Sequence, residues 1–326
     1  MVIGVLKGCL QGKILPAQSN SLHKHVPRQL LPFAAPPIDY RLSTIDYRLS
    51  CIDYRLSSIV YQLSPGMPEL PEVEAAARIA RRILVGRHLV AVSTHHPAQR
   101  RALPPRSAAR LVGRRVVAVE RRGKHQHFCL DDGAVLAVHF RMTGDWETTR
   151  TSEARPRFTR IAFDTDDGQR LSLVDSRALC SATYHPPGKP PRLELGPEPD
   201  ELTGELLREA TVRRTLAIKP LLLDQRVVAG LGNIYAAEAL WRARLDPTRS
   251  ACSLSDVQLR ALVRGIKAAI ADGFARQGRY RDGSPERPFK VYDREGHPCQ
   301  RCRTPIARIT QSGRSTYYCP RCQRTA

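Results

Sequence analysis

From residue 67 on, the alternation of apolar and polar positions passes through three textures. Val73, Ala76, Ala77, Ala80, Ile83 and Leu84 recur at helical spacing, with Arg78, Arg81 and Arg82 off that stripe. This predicts an amphipathic helix. Pro71 in the first turn, Glu72 and Glu74 near the N-terminus and Gly86 beyond the end supply its start and stop. Short β-rich runs follow: "HLVAVS", "RRVVAVE", "HQHFCL", "AVLAVHF", "RFTRIAF" and "QRLSLVD", with "DDG" turns at 131–133 and 166–168. Up to about residue 190 the pattern predicts a β-sandwich or barrel behind a leading helix. The proline-rich "HPPGKPPRLELGPEPD" at 185–200 reads as a linker. Beyond it "ELTGELLREA", "TLAIKPLLLDQ", "IYAAEALWRARL" and "LSDVQLRALVRGIKAAIADGF" read as helices.

The first 66 residues differ in kind. "IDYRLS" occurs at 38–43, 45–50 and 52–57, with a degenerate "IVYQLS" at 59–64. The period of seven places Leu42, Ile45, Leu49, Ile52, Leu56, Ile59 and Leu63 at a coiled-coil spacing. The run is short, follows "PFAAPP" and lacks strong helix formers. It is read as translated repetitive DNA ahead of the true start at Met67, a genuine extension being the alternative.

Composition adds a partner. The chain of 326 residues carries a net charge of +21, with a pI near 10.2. Residues 1–66 hold seven Lys/Arg and three Asp/Glu, so the remainder keeps +17 of that charge. Arg-dominated charge of this size favours a polyanion, since neutralised phosphates release counterions. A hydrophobic content of 42% excludes wholesale disorder. No run of about 18 apolar residues occurs, and no charged region precedes the short apolar stretch of "MVIGVLKGCL". Neither a membrane helix nor a secretory signal is expected. Of nine cysteines, five are scattered singly, which argues for a reducing compartment.

The other four form Cys299-x2-Cys302-x16-Cys319-x2-Cys322. Two chelating thiolate pairs make a closed tetrahedral site, so one structural zinc is expected, with a β-hairpin between the pairs. Arg308, Arg314 and Arg321 on this module suit contact with nucleic acid. "MPELPEVE" at 67–74 offers different chemistry. Methionine removal would expose the secondary amine of Pro68, a nucleophile able to form an iminium with a sugar carbon, beside Glu69 as acid or base. On spacing alone the plainer reading, a helix N-terminus with acids suiting its dipole, is preferred.

Several longer stretches alter that preference. "MPELPEVE", "RRGKH" at 121–125, "HFRMTG" at 139–144, "LLLDQRVVAGLGNIYAAEALWRARLDP" at 221–247, "VYDREGHPCQRC" and "RSTYYCPRCQ" together resemble formamidopyrimidine-DNA glycosylases. The resemblance spans 67–326 and none of 1–66. It implies an α+β multidomain fold: a β-sandwich with a leading helix, a helix–two-turn–helix domain and a C-terminal four-cysteine zinc finger. The implied boundaries are 67–195, 196–288 and 289–326. The resemblance makes Pro68 the nucleophile, Glu69 its partner acid and Glu72 a further acid near the site. Lys124 then contacts DNA beside the lesion, Asn233 a backbone phosphate, and Arg314 the phosphates around the damaged nucleotide. Met142 and Arg177 match residues that fill the void left by a flipped base.

Two departures bear on specificity. Leu179, in "VDSRALC", stands where the family commonly has a Phe, so an apolar wedge survives without stacking. "ARQGRYRDGSPERP" at 275–288 is more compact than the usual Gly-Thr-rich loop and resembles the endonuclease VIII type, which prefers oxidised pyrimidines. "PELPEVE" is the purine-type opening. The leading expectation is therefore excision of oxidised purines from double-stranded DNA, followed by β,δ-elimination at the abasic site. The alternatives are an endonuclease VIII-like enzyme and a non-catalytic zinc-finger protein that binds damaged DNA. The partner is duplex DNA with oxidised bases or abasic sites, and the protein a monomer in the bacterial cytoplasm, at the nucleoid.

Overall fold

The computed structural model describes residues 67–276 and 289–324; the "IDYRLS" repeats and nearly all of the 275–288 loop lie outside the described residues. Helix α1 spans Leu70–Leu84, and every position of its anticipated apolar stripe is buried. Two four-stranded antiparallel sheets follow. One has the order β1 (Leu89–Thr94), β6 (Thr159–Thr165), β7 (Gln169–Val174), β5 (Asp145–Arg150). The other runs β2 (Val116–Arg122), β3 (His125–Leu130), β4 (Val135–His139), β8 (Ser181–His185). Alternating inward residues of both sheets meet around Phe128, Phe140, Trp146 and Phe163, whose rings pack within 5.5–6.1 Å of a neighbour.

Strands β5 and β8 are not foreshadowed by their apolar pattern, and both are edge strands, where only one or two side chains need to face the core. The short helices α2 (Pro97–Ala102) and α3 (Pro105–Ala109) are likewise new, each opening on a proline.

The helical part contains α4 (Gly204–Thr211), α5 (Ile218–Leu222), α6 (Asn233–Ala243) and α7 (Asp256–Ala275). Thr203 caps α4, and Ser255 with Gln258 forms a capping box on α7. Leu70, the first residue of α1, belongs to this helical core and not to the sandwich. Its N–H donates to Gly230 O at 3.0 Å. Gly230 is required there: it has φ +81°, and a Cβ would lie 2.5 Å from Leu70 Cδ1. The N-terminus of α1 is thus pinned between sandwich and helices.

In the C-terminal module β9 (Ala307–Gln311) and β10 (Arg314–Tyr318) form the expected hairpin. Arg308 and Arg314 lie on it, whereas Arg321 lies off the hairpin, inside the second CxxC turn. The module is fastened to α6 from two sides. Buried Glu238 accepts the N–H groups of Lys290, Val291 and Tyr292 at 2.9–3.0 Å. Arg301 stacks 3.6 Å from the Trp241 ring and donates to Trp241 O at 2.6 Å.

Candidate active site and nucleic-acid interface

Pro68 is buried, and Glu69 beside it is 2% exposed. The Glu69 carboxylate accepts the N–H of Ile234 at 2.8 Å and of Tyr235 at 3.2 Å. It therefore sits on the N-terminus of α6, where unpaired N–H groups and the helix dipole favour an anion. Gly232 makes room for it, since a Cβ there would collide with the Glu69 carboxylate. Burial pushes the Glu69 pKa up, against the pull of Lys124 and of these backbone donors. Lys124, on the β2–β3 turn, is 8% exposed, and burial lowers its pKa while Glu69 raises it. A buried carboxyl and a buried amine thus face one another beside Pro68, each poised to exchange a proton.

Glu72 completes the acid pair. Its Oε2 accepts the Glu69 N–H at 2.9 Å and its Oε1 the Tyr235 hydroxyl at 2.6 Å. Burial pushes its pKa up to about 7, opposed by the Tyr235 hydrogen bond and assisted by the Glu69 charge. A folded-state value above the ordinary 4.5 means that this group's stabilisation is complete below pH 4.5 and lost as pH rises through 7. The loss is on the order of 3 kcal/mol. Glu72→Gln, neutral throughout, is expected to flatten the decline of melting temperature between pH 5 and pH 8. Parallel profiles for the two proteins would assign the decline to another group.

Two contributors escaped the sequence reading. Lys219, in "AIKPLLL", is 1% exposed and donates to Asn233 Oδ1 at 2.5 Å, Thr316 Oγ1 at 2.8 Å and Ser315 O at 3.2 Å. Burial lowers its pKa to about 8, with Glu69 raising and Arg314 lowering it. Asn233 Nδ2 donates to Ser315 O at 3.0 Å, so this side chain ties α6 to the hairpin as well as standing at the helix N-terminus. Arg314 is exposed at the start of β10, and its charge reaches both Lys124 and Lys219. The second contributor is the His125–His139 pair on β3 and β4, with ring centroids 4.6 Å apart. Burial pushes their pKa values down to about 4 and about 3. His139 Nδ1 accepts the Arg141 N–H at 2.9 Å, which leaves the proton of the neutral ring on Nε2. A lone histidine in a strand carries no signal of this kind in sequence.

Met142, Arg177 and Leu179 form a separate group on two loops. The Asp175 carboxylate accepts the N–H groups of Arg177, Leu179 and Cys180 at 3.0, 2.6 and 2.7 Å. It also accepts the Thr143 hydroxyl, which fastens the loop of Met142 to that of Arg177. Leu179 is 44% exposed, an apolar side chain on a loop whose backbone is bonded to Asp175. The four cysteines form a third group, with all Sγ atoms within 4.8 Å of one another. Cys299–Cys322 and Cys302–Cys319 Sγ separations are 4.0 and 3.4 Å. Tetrahedral thiolates about 2.3 Å from zinc stand roughly 3.8 Å apart, so the donor set fits that metal.

Comparison with known proteins agrees with this arrangement. The N-terminal domain of formamidopyrimidine-DNA glycosylase matches residues 67–182, the H2TH domain of that enzyme 195–282, and the zinc finger found in FPG and IleRS 296–325. The formamidopyrimidine-DNA glycosylase of Chloroflexus aggregans is 42% identical over 273 residues, covering 79% of this chain and 98% of that protein. That of Geobacillus kaustophilus is 38% identical over 281 residues, covering 79% and 100%. Among solved structures, the Lactococcus lactis enzyme bound non-covalently to DNA with an AP site has a TM-score of 0.71 at 27% identity, covering 79% of this chain and 100% of that one. MutM in complex with DNA containing carbocyclic 8-oxo-G has a TM-score of 0.72 at 27% identity, with the same coverage. Residues 67–326 carry the matched domains in their full order, and the chain belongs to the formamidopyrimidine-DNA glycosylase family.

Proposed function

We propose that the protein excises oxidised purines from double-stranded DNA and then cleaves the strand at the abasic site. The observation that carries this reading is the buried Glu69 carboxylate, on the α6 N-terminus directly after Pro68, with Lys124 opposite. In a chain whose first residue is Pro68, its amine attacks C1′ of the damaged nucleotide, and the base departs with the glycosidic electron pair. Glu69 supplies the proton that opens the sugar ring, and the resulting iminium acidifies C2′. Loss of that proton expels the 3′ phosphate, and a second elimination expels the 5′ phosphate. Burial raises the Glu69 pKa and lowers that of Lys124, which brings the two groups closer in basicity.

Lys124 contacts DNA beside the lesion, and Asn233 and Arg314 hold the phosphates around the flipped nucleotide. Met142, Arg177 and Leu179 occupy the vacated stack, whose opening costs a few kcal/mol. One zinc at Cys299, Cys302, Cys319 and Cys322 plays a structural part, since four thiolates leave no open position. The test is cleavage of duplexes carrying 8-oxoguanine, a formamidopyrimidine, an oxidised cytosine or a bare abasic site. Cutting at the purine lesions and the abasic site is expected. Cutting at the oxidised cytosine alone would make the enzyme endonuclease VIII-like, and binding without cutting would make it a non-catalytic damage binder.

A further inference from the structure

An open cleft of about 670 Å³ lies beside the loop that carries Arg177 and Leu179, among its lining residues His95, Glu153, Arg155, Phe158, Arg160 and Arg170. The cleft and the loop share Arg160. Its Nε donates to Asp175 O at 2.6 Å and its Nη2 to Ser176 O at 3.2 Å, and it makes no ion pair among the described residues. On α2, Gln99 Nε2 donates to Cys180 O at 2.8 Å and Ala178 O at 3.2 Å, clamping the same loop. The cleft therefore adjoins the loop of Arg177 and Leu179, and none of Pro68, Glu69, Glu72 and Lys124 lines it.

Its charge is one-sided. Arg170 is paired with Asp164 at 2.7 Å. Arg155 and Arg157 are exposed and make no ion pair among the described residues. The remaining acid, Glu153, accepts the Arg150 N–H. The His95 pKa is lowered by burial and then by Arg155, Arg100 and Arg170, with Asp164 opposing, so the cleft is a positive environment. Phe158, at φ +63°, spaces the cations: Arg157 Cζ lies 4.6 Å from its ring centroid and Arg160 Cζ 5.7 Å. Arg160, held by two backbone carbonyls, and the unpaired Arg155 lie in an open cleft, with Arg157 against Phe158 beside it, and guanidinium forks suit phosphate oxygens.

We infer that this cleft, together with Arg157 on the Phe158 ring at its edge, is a phosphate site for the undamaged strand, engaged by Arg155 and Arg157 and coupled to the wedge loop through Arg160. The inference rests on the repair reading above, in which Lys124, Asn233 and Arg314 take the damaged strand and Leu179 meets the orphaned base. A cation cluster attached to the wedge loop, with none of the reacting residues among its lining, is placed for the strand that holds that base. Such a contact anchors the wedge against its partner strand.

The test compares the wild type with the Arg155→Ala/Arg157→Ala double variant on a duplex holding an uncleavable abasic analogue, across a salt series. Melting temperature checks that the exposed substitutions leave the fold intact. The slope of log affinity against log salt is expected to fall by roughly 0.9 for each phosphate lost, nearly 2 in all. Affinity for the damaged strand alone should hold, and Lys at both positions should restore most of the slope. An unchanged slope on the duplex, or an equal loss on the single strand, overturns the proposal. So does an unchanged slope with competition by inorganic phosphate that vanishes in the variant, which would mark a free-anion site. Failure of the wild type itself to bind the lesion duplex would instead overturn the repair reading, since the proposal is read only from the difference between the two proteins.

Discussion

Protein whose first residue is Pro68 is expected to become covalently joined to an abasic-site duplex on treatment with borohydride, and protein retaining residues 1–66 is not. The reason is electronic. In the longer chain the Pro68 nitrogen belongs to the Met67–Pro68 amide, and its lone pair is delocalised into the carbonyl. A terminal Pro68 has a free secondary amine, and every step from attack on C1′ to elimination depends on it. Blocking a catalytic nucleophile costs on the order of 10³-fold or more in rate. Acetylation of a chain starting at Pro68 should therefore abolish trapping as completely as the extension does, without altering the fold. Intact mass of each preparation and the yield of cross-linked product on a denaturing gel provide the measurement. A chain verified to begin at Met1 that traps as well as the short form would remove Pro68 from the mechanism and direct attention to Lys124.

How much of this was legible in the sequence depends on whether the signal was local. The α1 stripe needs only its own spacing, and each of its residues is buried as anticipated. The CxxC pairs are likewise short-range, and their four sulfurs do converge. Strands β5 and β8 were illegible because edge strands bury so little. The link that defines the site, Glu69 to Ile234 and Tyr235, spans 165 and 166 residues and leaves no trace in local pattern. The residues beside Pro68 pointed to Glu69, and resemblance supplied Lys124. It did not supply their burial, their opposed pKa shifts or the place of Lys219, a lysine in an apolar helix whose three acceptors lie on other elements. The resemblance makes Asn233 a phosphate contact; what the structure adds is a side chain that brackets α6 and β10.

That bracket leads to the second large effect, removal of the metal. Cys299 and Cys319 are fully buried in a small core with Trp241, Val291, Ile306 and Tyr317. A hairpin with so little apolar area does not hold its shape without a cross-link. Zinc at a four-thiolate site contributes about 10–16 kcal/mol of apparent folding free energy. Chelation, or Cys319→Ser, is therefore expected to unfold residues 299–324 while the two sheets of the sandwich, with their own core, remain. The damage then spreads by named contacts. Lys219 loses Thr316 and Ser315, Asn233 loses Ser315, and a buried amine is left with one acceptor beside Glu69. Arg314 leaves the interface together with the hairpin. Affinity for an abasic-site duplex should drop by about 10²-fold or more, since charge-assisted contacts are lost and the site's electrostatics are disturbed together. Metal content should be one zinc per chain before chelation, and restoring zinc should restore binding to the chelated wild type but not to Cys319→Ser. Chelated protein that still bound the duplex with wild-type affinity would show that the hairpin is held by its core alone, and the metal would then need a role other than structure.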